Sequence, residues 1–417
     1  MNLIEKFSTF PRKHFEDPRK LQGLIRFAAR FQVFRWRIFP DRSIPRSLRM
    51  LNRAIFRAVS LPLSKPKRSA WVNLFAPTEI LHAFGIHPLF VESLASFLTG
   101  MGIEDLFIDR ARQSGISETL CSFHQAFIGA VESDAIPTPR FALASSMICD
   151  ANTRTFVHVS QRRNIPCTIL DVPSENRSGA VDYVKSQLKE AVSMVQDTLG
   201  EKLDPEKLRN VLRLENETRE AMRRWLERAG ETTFPNHATL EMSQLALSHT
   251  GMGLKSTRDF YRVRLSEKGT PRAGDKRSLF WIHIIPFMDP AIRQTFNFHP
   301  RYSLVAMDIN ADDLRPLELE DPLASLARKM VENPYNGPFQ QRLDRIMELV
   351  DRLHPDGVIH FCQWGCKQST GGSALVADAL KARNVPVLVL DGDAGDRRNM
   401  PAGQAKTRLE AFLEMIK

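Results

Sequence analysis

Long apolar runs and cysteines are both scarce in this sequence. No segment reaches the roughly 18 uninterrupted apolar residues of a membrane-spanning helix, so we expect no integral membrane segment. Glu5, Lys6 and Arg12 interrupt any signal-peptide core near the start of the chain. Five cysteines in 417 residues are too few, and odd in number, for a secreted disulfide framework. We therefore expect a cytoplasmic protein with reduced thiols.

Several catalytic signatures are missing as well. The sequence contains no P-loop, no GxSxG nucleophile elbow, no HExxH and no GxGxxG after a strand candidate. Kinase, serine hydrolase and NAD-dependent dehydrogenase functions therefore have no support. No helix-turn-helix, zinc-finger or RNA-binding signature occurs either, which argues against nucleic acid as a partner.

The positive charge is concentrated at one end of the chain. Residues 1–70 contain 17 basic and 4 acidic residues, a local charge of +13, whereas the net charge of the whole chain is +10. Phe27, Phe31, Phe34 and Ile38 recur there at helical spacing. The pattern favours solvated basic helices packed against the body. The alternatives are a site for a phosphate-bearing ligand or an acidic partner, and a helix that lies on a membrane surface.

Short apolar runs alternate with helical segments in two parts of the chain. Strand candidates are residues 71–76, 141–148 and 165–170, and then 279–285, 302–307, 357–361 and 385–390. Residues 178–250 have the pattern of long helices, and residues 251–274 that of a polar connection. This order predicts an α/β fold with two doubly wound, Rossmann-like or flavodoxin-like parallel-sheet domains. We divide the chain into a basic helical N-terminal extension (1–70), a first α/β domain (71–200), a helical intermediate segment (201–275) and a second α/β domain (276–417).

Four cysteines lie outside the apolar runs. Cys149, Cys362 and Cys366 stand near the ends of predicted strands, and Cys121 lies in residues 118–124, which favour neither helix nor strand. Cys167, by contrast, lies inside an apolar run and is expected in the core. Chance placement in loops is one explanation for the four. A zinc site formed by His360, Cys362 and Cys366 is a second, although Cys-x3-Cys without another pair is a weak zinc signal. An iron–sulfur cluster held by thiolates from distant loops is a third.

Several motifs resemble one known family, the D-component family of 2-hydroxyacyl-CoA dehydratases, which includes iron–sulfur subunits of benzoyl-CoA reductases. The motifs are residues 77–85 (PTEILHAFG), 146–150 (SMICD), 170–173 (LDVP), 364–368 (WGCKQ) and the C-terminal run that includes 391–393 (DGD), 397–399 (RRN) and 404–412 (QAKTRLEAF). The similarity in order and spacing spans most of residues 71–417.

The resemblance implies an oxygen-sensitive [4Fe–4S] cluster held by Cys121, Cys149 and Cys366, with one iron left open. Cys362 is the alternative third ligand. The implied partners are a homologous second dehydratase subunit, an ATP-hydrolysing iron–sulfur activator protein and a CoA thioester substrate. The implied reaction removes water from an (R)-2-hydroxyacyl-CoA through a ketyl radical and gives an enoyl-CoA.

Three further residues are candidates for catalytic support beside the cluster: Glu79, His82 and Ser146. Glu79 and His82 stand three positions apart, nearly on one helix face. The alternatives are a helix-dipole interaction for Glu79, packing for His82 and capping of the following helix for Ser146. Two other functions stay open for the chain: an aromatic-ring reductase of the benzoyl-CoA reductase type and a non-catalytic iron–sulfur electron-transfer paralogue.

Overall fold

A computed structural model describes residues 3–272, 275–400 and 402–416. Its first three helices are α1 (Leu3–Lys13), α2 (Pro18–Ile38) and α3 (Arg46–Ser64). The Asp17 carboxylate accepts a hydrogen bond from the backbone N–H of Lys20 and so caps α2. Within the described part of the chain, no helix is both long and apolar enough to cross a membrane.

The basic helices pack against the body, as expected from the sequence. The buried face of α2 consists of Leu21, Ile25, Ala28 and Ala29, while the repeat of Phe27, Phe31, Phe34 and Ile38 is exposed. In α3, Leu48 and Leu51 belong to the main hydrophobic core. The N-terminal segment is therefore a structural part of the body, and its aromatic stripe faces outward.

Four parallel strands form the first sheet, in the order β2-β1-β3-β4. The elements are β1 (Ser69–Val72), α4 (Thr78–Ala83), β2 (His87–Phe90), α5 (Val91–Met101), α6 (Glu104–Gln113), α7 (Ser122–Glu132), β3 (Phe141–Ser145), α8 (Asp150–Arg163), β4 (Cys167–Leu170) and α9 (Ala180–Leu199). The sequence analysis missed β2, an edge strand that contains Pro88. Because the chain order reverses between β1 and β3, a crevice is expected beyond their carboxyl ends.

Long helices connect the two sheets. They are α10 (Pro205–Glu231), α11 (Ala238–Ser243) and α12 (Lys255–Ser266), with a π-helical turn at Ala246–Thr250 and an antiparallel pair, β5 (Thr232–Thr233) and β6 (Thr270–Pro271). The prediction of a polar connection over residues 251–274 was wrong, because α12 lies there. Its buried Thr257, Phe260 and Tyr261 recur at helical spacing among charged residues, which obscure the pattern in the sequence.

The second sheet also has four parallel strands, in the order β10-β9-β7-β8. The elements are β7 (Arg277–Ile282), α13 (Pro290–Phe296), β8 (Tyr302–Met307), α14 (Pro322–Val331), α15 (Phe339–Leu353), β9 (Gly357–Gln363), α16 (Lys367–Thr370), α17 (Ser373–Ala382), β10 (Val387–Gly392) and α18 (Ala402–Met415). The predicted fold class, with two doubly wound parallel sheets, is confirmed.

Polar contacts join the loop after β10 to helices of the first sheet. Ser122, the first residue of α7, donates a hydrogen bond to the buried Asp393 carboxylate. Arg397 forms an ion pair with the buried Glu104 of α6. A Cβ on Gly395 would lie 2.3 Å from the Ser122 hydroxyl, so this approach requires glycine. These contacts hold the start of α7 close to the carboxyl ends of the second sheet.

Candidate functional site

Three of the five cysteines stand directly before the first residue of a helix. Cys121 precedes α7, Cys149 precedes α8 and Cys366 precedes α16. The free N–H groups of a first helical turn favour negative charge on an atom at this position.

The same three thiols converge in space. Burial, together with the proximity of Cys366 and Cys149, raises the pKa of Cys121. Burial, and then Cys366, raise the pKa of Cys149 to about 12. Beside them, Lys367 and Asp150 form a surface ion pair with an Nζ–Oδ2 distance of 3.8 Å. The loops after β3 and β9 and the start of α7 therefore meet at one place.

Left-handed backbone precedes two of these cysteines. Ile148, before Cys149, has φ +64°, which is unfavourable for a β-branched residue. Gly365, before Cys366, has φ +73°, and a Cβ there would lie 2.8 Å from the backbone nitrogen of Cys121. The backbone before Cys149 is therefore strained, and the close approach of the loop before Cys366 to Cys121 requires glycine at position 365.

Cys362 has a different environment from Cys366. It is buried in β9, and its Sγ lies 3.6 Å from the Ser369 carbonyl oxygen, to which it donates a hydrogen bond. Cys366 lies beyond the strand end and acts on the pKa of both Cys121 and Cys149. The geometry therefore favours Cys366 as the third member of the group.

The donor set suits a cluster better than a single ion. Among the described residues, no three His, Cys, Asp or Glu side chains surround one metal-ion position. His360 gives no support to a zinc site, because its Nε2 hydrogen-bonds to the Ser369 carbonyl oxygen at 2.8 Å. The thiolates of a cubane bind different irons, so they stand further apart than the ligands of one ion. Three convergent thiols at helix starts, which do not surround a single metal-ion position, would suit such a cluster.

His283 is a neighbour of the third cysteine that the sequence analysis missed. Its Nε2 lies 3.6 Å from the Cys366 Sγ, within reach of a hydrogen bond. The residue follows β7 with φ +71°, and its backbone N–H donates to Asp308 Oδ1 at 2.7 Å. Asp308 in turn accepts hydrogen bonds from Arg342 and Tyr335. A buried polar network therefore fixes the position of His283.

A partly enclosed cavity of about 340 Å³ lies between the N-terminal helices, α5 and the connecting helices. Its lining is mostly apolar and includes Phe56, Phe90, Phe97, Met242, Leu245 and Phe287. Glu92 also lines it, and the Oε2 atom of Glu92 is buried without a hydrogen-bond partner. The three cysteines do not line the cavity themselves. The cavity lies at the same edge of the sheets, because Glu92 follows the carboxyl end of β2, and Phe287 stands four residues after His283, whose Nε2 is 3.6 Å from the Cys366 sulfur.

A comparison with protein families agrees with this geometry. The family model described as 2-hydroxyglutaryl-CoA dehydratase, D-component, matches residues 73–416. The chain belongs to this family. The resemblance inferred from the motifs is thereby confirmed, and so is the expectation of an enzyme subunit of the 2-hydroxyacyl-CoA dehydratase type.

Characterised relatives of this dehydratase-family chain cover most of its length. The (R)-phenyllactyl-CoA dehydratase alpha subunit of Clostridium sporogenes is 22% identical over 373 residues, which cover 84% of this chain and 90% of the relative. The (R)-2-hydroxyisocaproyl-CoA dehydratase alpha subunit of Clostridioides difficile is 21% identical, with 83% and 89% covered. The lactoyl-CoA dehydratase subunit alpha of Anaerotignum propionicum is 20% identical, with 83% and 90% covered.

Glu79 lies inside the protein, in a group of charges. It is buried and forms an ion pair with Lys329, which also pairs with Glu215 at 2.8 Å. Burial raises the pKa of Glu79, whereas Lys329 and Arg219 hold the pKa of Glu215 below its usual value despite burial. Glu79 is not among the residues that line the 340 Å³ cavity. Its part in catalysis stays a prediction.

His82 and Ser146 make structural contacts in this dehydratase-family fold. Burial lowers the pKa of His82 to about 4, and the Nε2–H of its neutral ring donates to the Thr250 carbonyl oxygen at 2.8 Å. The Ser146 hydroxyl accepts a hydrogen bond from the backbone N–H of Val172 at 2.8 Å and so links the ends of β3 and β4. Their catalytic roles also stay predictions.

Glu92 gives the stability of the protein a pH dependence that can be measured. Burial raises the pKa of Glu92 from 4.5 to about 7, so the folded state retains a proton that the unfolded state releases. Relative to Glu92→Gln, the wild type should lose about 3 kcal/mol of unfolding free energy as pH rises from about 4.5 through 7. Urea unfolding at about pH 5 and pH 8 measures this difference. Glu190→Gln, at an exposed position of α9, is the control, and an equal pH dependence in all three proteins contradicts the prediction.

Proposed function

We propose that this chain is the cluster-bearing subunit of an ATP-activated 2-hydroxyacyl-CoA dehydratase. The reaction breaks the C2–OH bond and one C3–H bond of an (R)-2-hydroxyacyl-CoA, forms a C2=C3 double bond and releases water. It is redox-neutral overall, so an electron used to start it is recovered at the end. The substrates named for the relatives, which are all 2-hydroxyacyl-CoA thioesters, support this reaction class.

One observation carries the proposal: three convergent cysteines lie at the same edge of the sheets as an apolar cavity, in whose wall the Oε2 atom of Glu92 is buried without a hydrogen-bond partner. Cys121, Cys149 and Cys366 would hold a [4Fe–4S] cluster, which supplies low-potential single electrons when bound. Three protein ligands are one fewer than the four thiolates of an ordinary closed cluster. A cavity beside such a site can bring a substrate close while excluding water.

The protein's own groups around the site have separable tasks. The Glu92 carboxyl group, with a pKa of about 7, can accept or donate a proton at its Oε2 atom near neutral pH. Water loss needs both kinds of transfer, because the leaving hydroxyl must be protonated and a C3 proton must be removed. His283 is placed to donate a hydrogen bond to the Cys366 sulfur. The apolar lining keeps water away from the reacting carbons.

The proposal includes two protein partners and a location. A homologous second subunit is supported by the relatives, which are named as alpha subunits. An ATP-hydrolysing iron–sulfur activator is required because the electron must come from a low-potential donor. All five cysteines are free thiols, in keeping with a cytoplasmic location for the working enzyme.

Anaerobic assays with the activator, ATP, a reductant and (R)-2-hydroxyisocaproyl-CoA test the reaction. The chain, purified with its partner subunit, should form the enoyl-CoA. Glu92→Gln should lower kcat by about 10²- to 10⁴-fold while iron content stays unchanged, because a proton carrier is lost. Glu190→Gln should have wild-type kcat. Product from benzoyl-CoA and none from any 2-hydroxyacyl-CoA would support an aromatic-ring reductase instead.

A further inference from the structure

The 340 Å³ cavity has walls from four parts of the chain. α3 contributes Asn52 and Phe56, α5 contributes Phe97, the connecting helices contribute Met242, and the segment after β7 contributes Phe287. Its volume of about 340 Å³ falls within the size range of small-molecule sites. A cavity of this shape and lining suits a compact apolar group, and the basic N-terminal segment supplies one of its walls.

The charged groups of the cavity limit what that group can be. The Oε2 atom of Glu92 is buried in the cavity wall without a hydrogen-bond partner. Arg293, a cation that also lines the cavity, is solvent-exposed. A carboxylate at the end of an acyl chain would therefore lie in apolar surroundings, without a buried cation to pair with it. Uncharged acyl groups avoid this cost.

Gly100 opens one side of the cavity. It lies in α5 one turn after Ser96 and Phe97, which also line the cavity. A Cβ built on Gly100 would have no atom within 4 Å outside its own helix surroundings. Any side chain at position 100 would therefore extend into open space at the cavity, and glycine leaves that space to a ligand.

We propose that this cavity binds the acyl chain of the CoA thioester, that it takes an uncharged branched or aromatic acyl group, and that Gly100 sets its size. This inference rests on the proposed function and adds the substrate class. The acyl chain lies among Phe56, Phe97 and Phe287, and its C2 and C3 atoms lie on the side of Glu92. A glutaryl-type chain is disfavoured because its terminal carboxylate has no buried cation.

Equilibrium binding of CoA thioesters to the purified complex of this chain and its partner subunit tests the inference without turnover. The probes are 3-phenylpropanoyl-CoA, glutaryl-CoA and acetyl-CoA, which differ only in the acyl group. Wild-type protein should bind 3-phenylpropanoyl-CoA more tightly than glutaryl-CoA. Gly100→Leu should weaken 3-phenylpropanoyl-CoA binding by about 10- to 100-fold, the cost of losing the burial of one large apolar side chain. Acetyl-CoA binding should stay unchanged.

Gly23→Leu is the matched control. Gly23 lies in α2, a Cβ there also has no atom within 4 Å, and the residue does not line the cavity. Gly23→Leu should leave the affinities for all three CoA thioesters unchanged. Gly100→Ala, which adds one methyl group and favours the helix, should weaken 3-phenylpropanoyl-CoA binding less than Gly100→Leu and covers the case in which leucine prevents folding.

The outcomes separate this inference from the proposed function. One outcome is that wild-type protein binds the thioesters while Gly100→Leu changes the affinities for 3-phenylpropanoyl-CoA and acetyl-CoA by the same factor, or changes neither affinity. In both cases the acyl chain lies elsewhere, and only the inference fails. Tighter wild-type binding of glutaryl-CoA overturns the substrate class. If no thioester binds to the complex, the dehydratase proposal fails together with the inference.

Discussion

Alanine at Cys121, Cys149 or Cys366 is expected to abolish iron binding and dehydration, whereas alanine at Cys362 leaves both. Each of the three thiols lies at a helix start in one convergent group, so the loss of any one leaves two protein ligands. Anaerobically purified wild type should contain about four iron atoms per chain, as a cubane requires. Iron and sulfide analysis and the visible spectrum measure this directly.

Cys167→Ala is the control for this series. Cys167 lies at the start of β4, where its Sγ is 3.9 Å from the Phe156 carbonyl oxygen, among core residues of the first sheet. Cys167→Ala should keep the iron content of the wild type, and circular dichroism should show a folded protein for every variant. If Cys362→Ala loses iron and Cys366→Ala keeps it, the assignment of the third ligand is wrong.

Leucine at Arg342 is expected to lower the free energy of unfolding by about 3–5 kcal/mol, since a buried partner charge is left uncompensated. The Arg342 guanidinium is fully buried, donates to Asp308 at 3.0 Å and also donates to the Gln368 carbonyl oxygen. Asp308 holds the backbone of His283 through a 2.7 Å hydrogen bond. The substitution should therefore also loosen the loop that carries Cys366, and iron should be lost more readily to a chelator.

Arg352→Leu is the control for this change, because it removes the same charge from the same helix, α15. Arg352 is partly exposed and pairs with Glu348 at 3.4 Å, a surface contact worth about 0–1 kcal/mol. Urea unfolding measures both variants. A loss below about 1 kcal/mol for Arg342→Leu would mean that Asp308 is compensated by other groups.

The second sheet shows why much of the fold could be predicted from the sequence. Parallel strands covered on both faces are continuous apolar runs, and the runs at residues 302–307 and 357–361 match β8 and most of β9. The first sheet and the connecting helices were harder to predict. The edge strand β2 is short and contains Pro88, and the connecting helix α12 is rich in charge, so neither has a strong apolar pattern. An apolar sequence pattern predicts a helix or strand only when enough residues of that helix or strand are buried to produce the pattern.

The candidate site likewise has residues that could be predicted from the sequence and residues that could not. The cysteines could be singled out because they are rare, and because Cys149, Cys362 and Cys366 follow predicted strands. Glu92 could not, because it is one of 48 acidic residues, and only the fold places it in the cavity wall with its Oε2 atom buried. His283 was hidden at the end of an apolar run, where its left-handed backbone has no signature in the sequence.

By itself, the sequence determined the fold class, the basic N-terminal helices and three cysteines at element ends, because each depends on neighbours close in the chain. Only the tertiary structure showed that Cys362 is buried within β9 while Cys366 lies beyond the strand end, and that Glu92 and Gly100 border a cavity. Residues 149, 283 and 366 come together because the crossovers of two parallel sheets bring the carboxyl ends of distant strands to one place. Which side chains share that place depends on packing between the sheets, and no local pattern encodes it.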